Sequence, residues 1–212
     1  MEILTTSDRQ KIDESNDSIF YSRPRFVYHL DANFRRYLTY IYKKELENNK
    51  IVLDLMSSWD SYLPKDRVYK EVIGHGLNEE ELSKNKSLNR YWIQNFNLNQ
   101  KIPLESKSID YCLMVAALQY LQYPEVISQE ISRILSEEGK LIVSFTNRAF
   151  WSKAPNVWTN SNEEERVNYV CKVLSSNGFD DIRVIQEFIS NRTSFLSFLN
   201  SDPFYCVIAN KK

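Results

Sequence analysis

An apolar run, Ile51-Val-Leu-Asp-Leu55, ends in an acid and is followed at once by Met56-Ser-Ser-Trp-Asp-Ser-Tyr-Leu63. Its length suits a strand, and its lack of polar alternation marks a strand buried on both faces, as at the centre of a parallel sheet. An acid there, with a loop of small residues behind it, is how a nucleotide-like ligand is met at the carboxyl edge of an α/β sheet. This loop contains no glycine. Each serine carries a Cβ that restricts φ, so a ligand cannot approach the backbone as closely as a glycine-rich turn permits.

The rest of the chain supplies a sheet for that strand. Phe34, Tyr37, Leu38 and Ile41 form one apolar stripe and predict a helix ahead of it. Tyr69 to Ile73 reads as a second strand, closed by Gly74-His75-Gly76. The intervening dozen or so residues include Pro64, so that crossover is near its minimum length. Asn78 and Glu81 have the spacing of a helix cap. Tyr91 to Gln94 and Ile109 to Ala116 predict the third and fourth strands. Pro124 opens a helix with Ile127, Ile131, Ile134 and Leu135 on one face, expected to stop at Gly139 before a fifth strand over Lys140 to Phe145. A further helix runs from a cap at Asn162 and Glu165 to Gly178. Asp181 to Glu187 and Pro203 to Ala209, with no long helix between them, predict a closing antiparallel pair. The result is an α/β, three-layer, Rossmann-like sheet of seven strands, mostly parallel with an antiparallel last strand. Residues 1–19 read as a polar, frayed or loosely docked tail, 20–50 as a helical extension over the strand carboxyl ends, and 51–212 as the α/β domain.

Composition narrows the partners. Of 212 residues, 42% are hydrophobic, enough for one sizeable core. A net charge of −1 with interspersed signs gives no basic face for nucleic acid and no polybasic segment for a membrane. The scattered Cys112, Cys171 and Cys206 fit reduced core thiols, so no metal site is expected. No apolar run approaches the roughly 20 residues of a membrane span and no signal-peptide core is present, which predicts a cytoplasmic protein.

Six segments fall in a telling order: Ile51-Val-Leu-Asp-Leu55; Val72-Ile-Gly-His-Gly-Leu-Asn78; Gln94-Asn95; Ile102-Pro-Leu104 with Ser108-Ile-Asp110; Leu118-Gln-Tyr120; and Glu130-Ile-Ser-Arg-Ile-Leu135 with Gly139. This order resembles the class I S-adenosylmethionine-dependent methyltransferases, in particular a divergent branch of the methyltransferase type 11 kind that lacks the glycine-rich loop. The third segment stands where such proteins often have an acid beside adenine. The fourth looks like their "LPF…SFD" element and the last like their "EIxRVLKPGG" element. Asn147 to Phe150, Lys153-Ala154, Trp158 and the stretch Tyr21 to Asp31 are also similar to that branch. The resemblance implies a methyltransferase with S-adenosyl-L-methionine as cofactor and a small-molecule substrate. Against the family pattern, Met56-Ser57-Ser58-Trp59 replaces the glycine-rich loop, and Gly76, flanked by His75, stands where the ribose-binding acid is expected.

The expected cofactor contacts are Asp54, Ser57, Ser58, Trp59, His75, Gly76, Asn78, Asn95 and Phe96. Each has a plainer role: Asp54 and the serines can support their own loop, Trp59 can anchor the core, His75 and Asn95 can serve turns, and Asn78 can cap a helix. On the acceptor side, His29 has a pKa range suited to proton removal, Tyr120 follows strand four, and Arg148 can bind an anionic substrate, whereas Lys153 reads as solvated. The N-terminal segment carrying Arg25 and His29 is expected to cover the cleft opposite Tyr120 and Arg148. A methyltransferase-like binding or regulatory module without catalysis is the alternative. A nicotinamide-dependent oxidoreductase fits less well, since G-x-G-x-x-G is absent.

Overall fold

A computed structural model describes residues 3–187 and 202–212. The elements run α1 (Thr6–Arg9), α2 (Asp17–Phe20), α3 (Ala32–Glu45), β1 (Ile51–Asp54), β2 (Glu71–Gly76), α4 (Glu79–Lys84), β3 (Arg90–Ile93), β4 (Ile109–Val115), α5 (Pro124–Ile134), β5 (Leu135–Phe145), α6 (Asn156–Thr159), α7 (Glu163–Ser175), β6 (Phe179–Glu187) and β7 (Phe204–Lys211). Seven strands form one sheet in the order β3-β2-β1-β4-β5-β7-β6. Neighbours from β3 to β5 pair in parallel, while β7 runs antiparallel to both β5 and β6. The expectation about the segment between the last two strands concerns mainly residues outside the described ones.

Alternation along the central strands sorts side chains onto two faces. Val52, Val72, Leu113, Ile142 and Ile208 pack against Phe34, Leu38, Ile41 and Tyr42 of α3. Leu53, Leu55, Ile73, Cys112, Leu141 and Val143 face α5 and α7, through Ile127, Ile131, Val170 and Leu174. Each large apolar side chain so buried contributes roughly 1.5–3 kcal/mol, which makes β1 the centre of a three-layer core. The caps expected at Asn78 and Asn162 are formed, each side chain accepting the N–H three residues on. Asp31 caps α3 in the same way, and its carboxylate also accepts the Asp202 N–H at 2.7 Å, tying that helix to the start of β7. Among the described residues no helix is long and apolar enough to cross a membrane.

The structure departs from the sequence reading in two places. The helix before β5 ends at Ile134, not near Gly139, because the Lys107 and Ser108 N–H groups take the Arg133 and Ile134 carbonyls and Leu135 then pairs with Ile109. The N-terminal stretch is also, from residue 3 onward, built into the domain and not frayed. Leu4 joins the core, and Arg9 pairs with the buried Glu125 at 3.0 Å. Lys11 Nζ meets Asp17 Oδ2 at 2.9 Å, and Lys153 Nζ reaches Asp13 at 2.9 Å, the Ser15 carbonyl at 2.8 Å and Asp17 Oδ1 at 3.6 Å. Lys153 is therefore 1% exposed and not solvated. Removing one partner from such a buried network leaves an uncompensated charge, at a cost of about 3–5 kcal/mol. Asp17→Ala should lower the unfolding free energy by that amount in urea titrations. A loss below about 0.5 kcal/mol, the size expected of a surface change, would return the N-terminus to a loosely attached tail.

Candidate functional site

The sheet order reverses at β1, which has β2 on one side and β4 on the other, and ligands of open α/β sheets sit beyond the strand carboxyl ends at such a switch. A cleft of about 190 Å³ lies there. The loops after β1, β2, β3 and β4 form its floor, and Asp17, Tyr21, Arg25, Val27, His29 and Leu30 of the N-terminal region line it as well.

The loop after β1 is shaped without glycine by a histidine. Met56 N–H donates to His75 Nδ1 at 3.1 Å, Ser57 N–H donates to the His75 carbonyl at 2.6 Å, and the opposite ring nitrogen lies 2.8 Å from the Gln94 carbonyl. An amide can only donate and a carbonyl can only accept, so the ring is neutral with its hydrogen on Nε2. Burial pushes the His75 pKa down to about 4, and the ring stacks on Phe96 with centroids 4.0 Å apart. One imidazole thus joins the ends of β1, β2 and β3. Met56 adopts φ +57°, Tyr62 +55° and, at the end of β4, Ala116 +49°. These left-handed conformations cost roughly 1–2 kcal/mol per non-glycine residue and are held by the surrounding bonds. Gly76 is required by close approach, since a Cβ there would lie 2.7 Å from the Ser57 carbonyl oxygen. An acid at that position would collide with the loop, which accounts for its absence.

Three carboxylates face the cleft beside this loop. Asp54 takes Ser57 Oγ at 2.5 Å, Asp60 takes the Tyr62 N–H and the Tyr28 hydroxyl, and Glu81 takes Ser58 Oγ and the Arg25 N–H, both at 2.6 Å. None of the three pairs with a described Lys or Arg within 4 Å. Burial without a counter-charge raises the Asp54 pKa to about 6, despite the lowering effect of the Ser57 and Ser61 hydroxyls. Sequence spacing hid Glu81, whose distance from Asn78 is fully explained by the helix cap it also serves.

All nine expected cofactor residues line the cleft, although several polar groups are already engaged. Both His75 ring nitrogens serve backbone, so the ring has no site left for a ribose hydroxyl. Asn78 caps α4 and donates to the Tyr21 carbonyl at 2.8 Å. Asn95 accepts from Asn97 N–H and donates to Asn16. Phe96 is buried against His75, while Trp59 sits at the rim, 4.5 Å from Tyr28 by ring centroids. Tyr120 lines the cleft and accepts the Phe150 N–H at 3.0 Å. His29 lies edge-on to Phe150 at 5.3 Å, and partial burial, followed by the Arg25 charge, lowers its pKa. Arg148 is the exception. It does not line the cleft but pairs with Asp202 at 2.6 Å, because the Asp31–Asp202 contact draws that carboxylate to it.

The charge on Asp54 has a pH signature. A carboxyl whose pKa is raised on folding binds more protons folded than unfolded between pH 4 and 6, so it stabilises the fold at low pH and ceases to do so as pH rises. Asp54→Asn removes this, and the unfolding free energy of the variant minus that of wild type should increase by about 2 kcal/mol from pH 4 to pH 7. A difference flat with pH, measured by denaturation in a pH series, would mean that Asp54 is solvated or paired.

Comparison with known proteins agrees with this fold. Residues 59–143 match the model of a methyltransferase domain family. Among curated proteins, none matches the sequence. A chain from the complex of the Haloferax volcanii Trm112 methyltransferase activator with a putative methyltransferase superposes with a TM-score of 0.62 at 13% identity, over 84% of this chain and 90% of that one. A possible histamine N-methyltransferase from Thermotoga maritima gives 0.59 at 17% identity, over 85% and 91%. The [4+2]-cyclase SpnF gives 0.60 at 12% identity, over 84% and 81%. The strand order and these superpositions give this chain the class I S-adenosylmethionine-dependent methyltransferase fold, and the matched segment within it is similar to the methyltransferase domain family.

Proposed function

We propose that the protein is an S-adenosylmethionine-dependent methyltransferase acting on a small molecule. The observation that carries this is the set of three cleft carboxylates, Asp54, Asp60 and Glu81, that lack a cationic partner among the described residues. A ligand with ammonium and sulfonium charges supplies what the chain withholds, and a buried carboxylate gains most from such a partner. The cofactor would lie across Asp54 to Trp59, His75 to Asn78 and Asn95 to Phe96. When bound, it supplies an electrophilic methyl group.

The chain contributes position, dryness and a proton acceptor. Tyr21, Tyr120 and Phe150 wall the cleft with rings, excluding water from the acceptor's nucleophile. His29, held neutral near pH 7 by its surroundings, can take a proton at a ring nitrogen from an acceptor hydroxyl or amine. The N-terminal region supplies Tyr21, Arg25 and His29 to the cleft wall and so covers the acceptor side of the site.

A second reading has one observation in its favour. The Met56 and Ser57 amides, which an open loop would offer to a ligand, are taken by His75. A methyltransferase-like module that binds without methyl transfer has that property, and the [4+2]-cyclase SpnF is an example of this fold with another activity. Calorimetric titration with S-adenosylmethionine separates the two. The proposal expects binding at pH 7.5 that weakens by up to about tenfold at pH 5, where Asp54 is mostly protonated, and that is lost in Asp54→Ala. No heat at millimolar cofactor would favour the module.

A further inference from the structure

Arg25 stands apart from the other charges of the cleft. Its guanidinium carbon lies 4.7 Å from the Phe20 ring centroid and 5.7 Å from those of Tyr21 and Phe150, and one nitrogen donates to the Phe20 carbonyl at 2.9 Å. Its other terminal nitrogen, Nη1, is buried and has no acceptor among the described residues. No described carboxylate lies within ion-pair distance of Arg25, whereas Lys153, the other cation on the cleft wall, is compensated by Asp13 and Asp17. A guanidinium clamped by three rings is preorganised, and an unmet buried donor gains the full value of an incoming anion.

Resting on the methyltransferase reading, we infer that the acceptor is a small, flat carboxylate whose anionic end is bound by Arg25. Its body lies against the cleft side of the Tyr21, Phe150 and Tyr120 cluster, whose rings pack on one another and present an aromatic wall to a flat partner. His29, on the edge of Phe150, then faces the middle of the acceptor, where a nucleophile would sit. The acids do not oppose this. Asp17 is matched by Lys11 and Lys153, and Glu81 is engaged by Ser58 Oγ and the Arg25 backbone N–H, with its carboxylate outside ion-pair distance of the Arg25 guanidinium. The anion-binding role that the sequence suggests for Arg148 thus passes to Arg25.

The test uses 4-hydroxybenzoate and its neutral counterpart 4-hydroxybenzamide, titrated by ligand-observed NMR with and without S-adenosylhomocysteine. The acid should bind at least about tenfold more tightly than the amide, the usual worth of a charge-assisted hydrogen bond. Arg25→Met should abolish that preference and Arg25→Lys should retain part of it, while the heat of S-adenosylhomocysteine binding stays within about twofold of wild type. That last measurement also shows that the variants are folded. Equal binding of acid and amide, an unchanged preference in Arg25→Met, or no binding of the acid at millimolar concentration would each overturn the inference. Acid binding without any S-adenosylhomocysteine binding would remove the methyltransferase reading and leave Arg25 as an anion site. The converse result would remove Arg25 alone.

Discussion

Two hydrogen bonds to one imidazole ring hold the centre of this site together. His75 accepts from the Met56 N–H through Nδ1 and donates to the Gln94 carbonyl through Nε2, while its own carbonyl takes the Ser57 N–H. A glycine-rich turn reaches a left-handed conformation at no steric cost, but here Met56 is held at φ +57° by bonds to a neighbouring strand. The glycine has moved to the other partner of the contact, at Gly76, where the loop crosses β2 and a Cβ would strike the Ser57 carbonyl. The absence of glycine from the loop and of an acid from the end of β2 are therefore sterically coupled.

Charge follows from the same arrangement. Burying Asp54 beside this loop with only hydroxyl partners raises its pKa to about 6, while burying His75 lowers the imidazole to about 4. Between pH 4 and 6 these two groups act on stability with opposite signs, since the folded state holds an extra proton on Asp54 and lacks one on His75. The site is thus acidic beside the β1 loop and carries a single uncompensated guanidinium among its described residues on the N-terminal side. The cleft thus offers carboxylates to a cationic ligand and one guanidinium to an anionic group.

Much of the fold was legible because its signals are local. The buried run at β1, the alternation that splits Val52 from Leu53, and the caps at Asn78 and Asn162 depend on neighbours within a few residues. The start of β5 was not, because the helix before it is ended by amides from residues 107 and 108, far away in sequence. The N-terminal region was misread for a similar reason. Lys11, Asp17 and Lys153 look like solvated residues one at a time, and they become core only as a group. Among site residues, position on a carboxyl-edge loop was readable for Asp54 through Phe96, but the occupation of their polar atoms was not. Glu81 was masked by its own helix cap. In sequence the anion-binding role falls to Arg148 and only a covering place to Arg25, because the Asp202 carboxylate that occupies Arg148 is distant in sequence.

The histidine clamp can be observed directly, because the chain has two histidines and their ring nitrogens are separable by 15N NMR. The structure predicts that His75 is a neutral imidazole with its hydrogen on Nε2 at pH 7 and titrates near pH 4, while His29 titrates below the ordinary value of about 6.5. A His75 ring that carries its hydrogen on Nδ1 could not accept the Met56 amide, and one that titrates near 6.5 would not be buried between the strand ends, so either result would contradict the account.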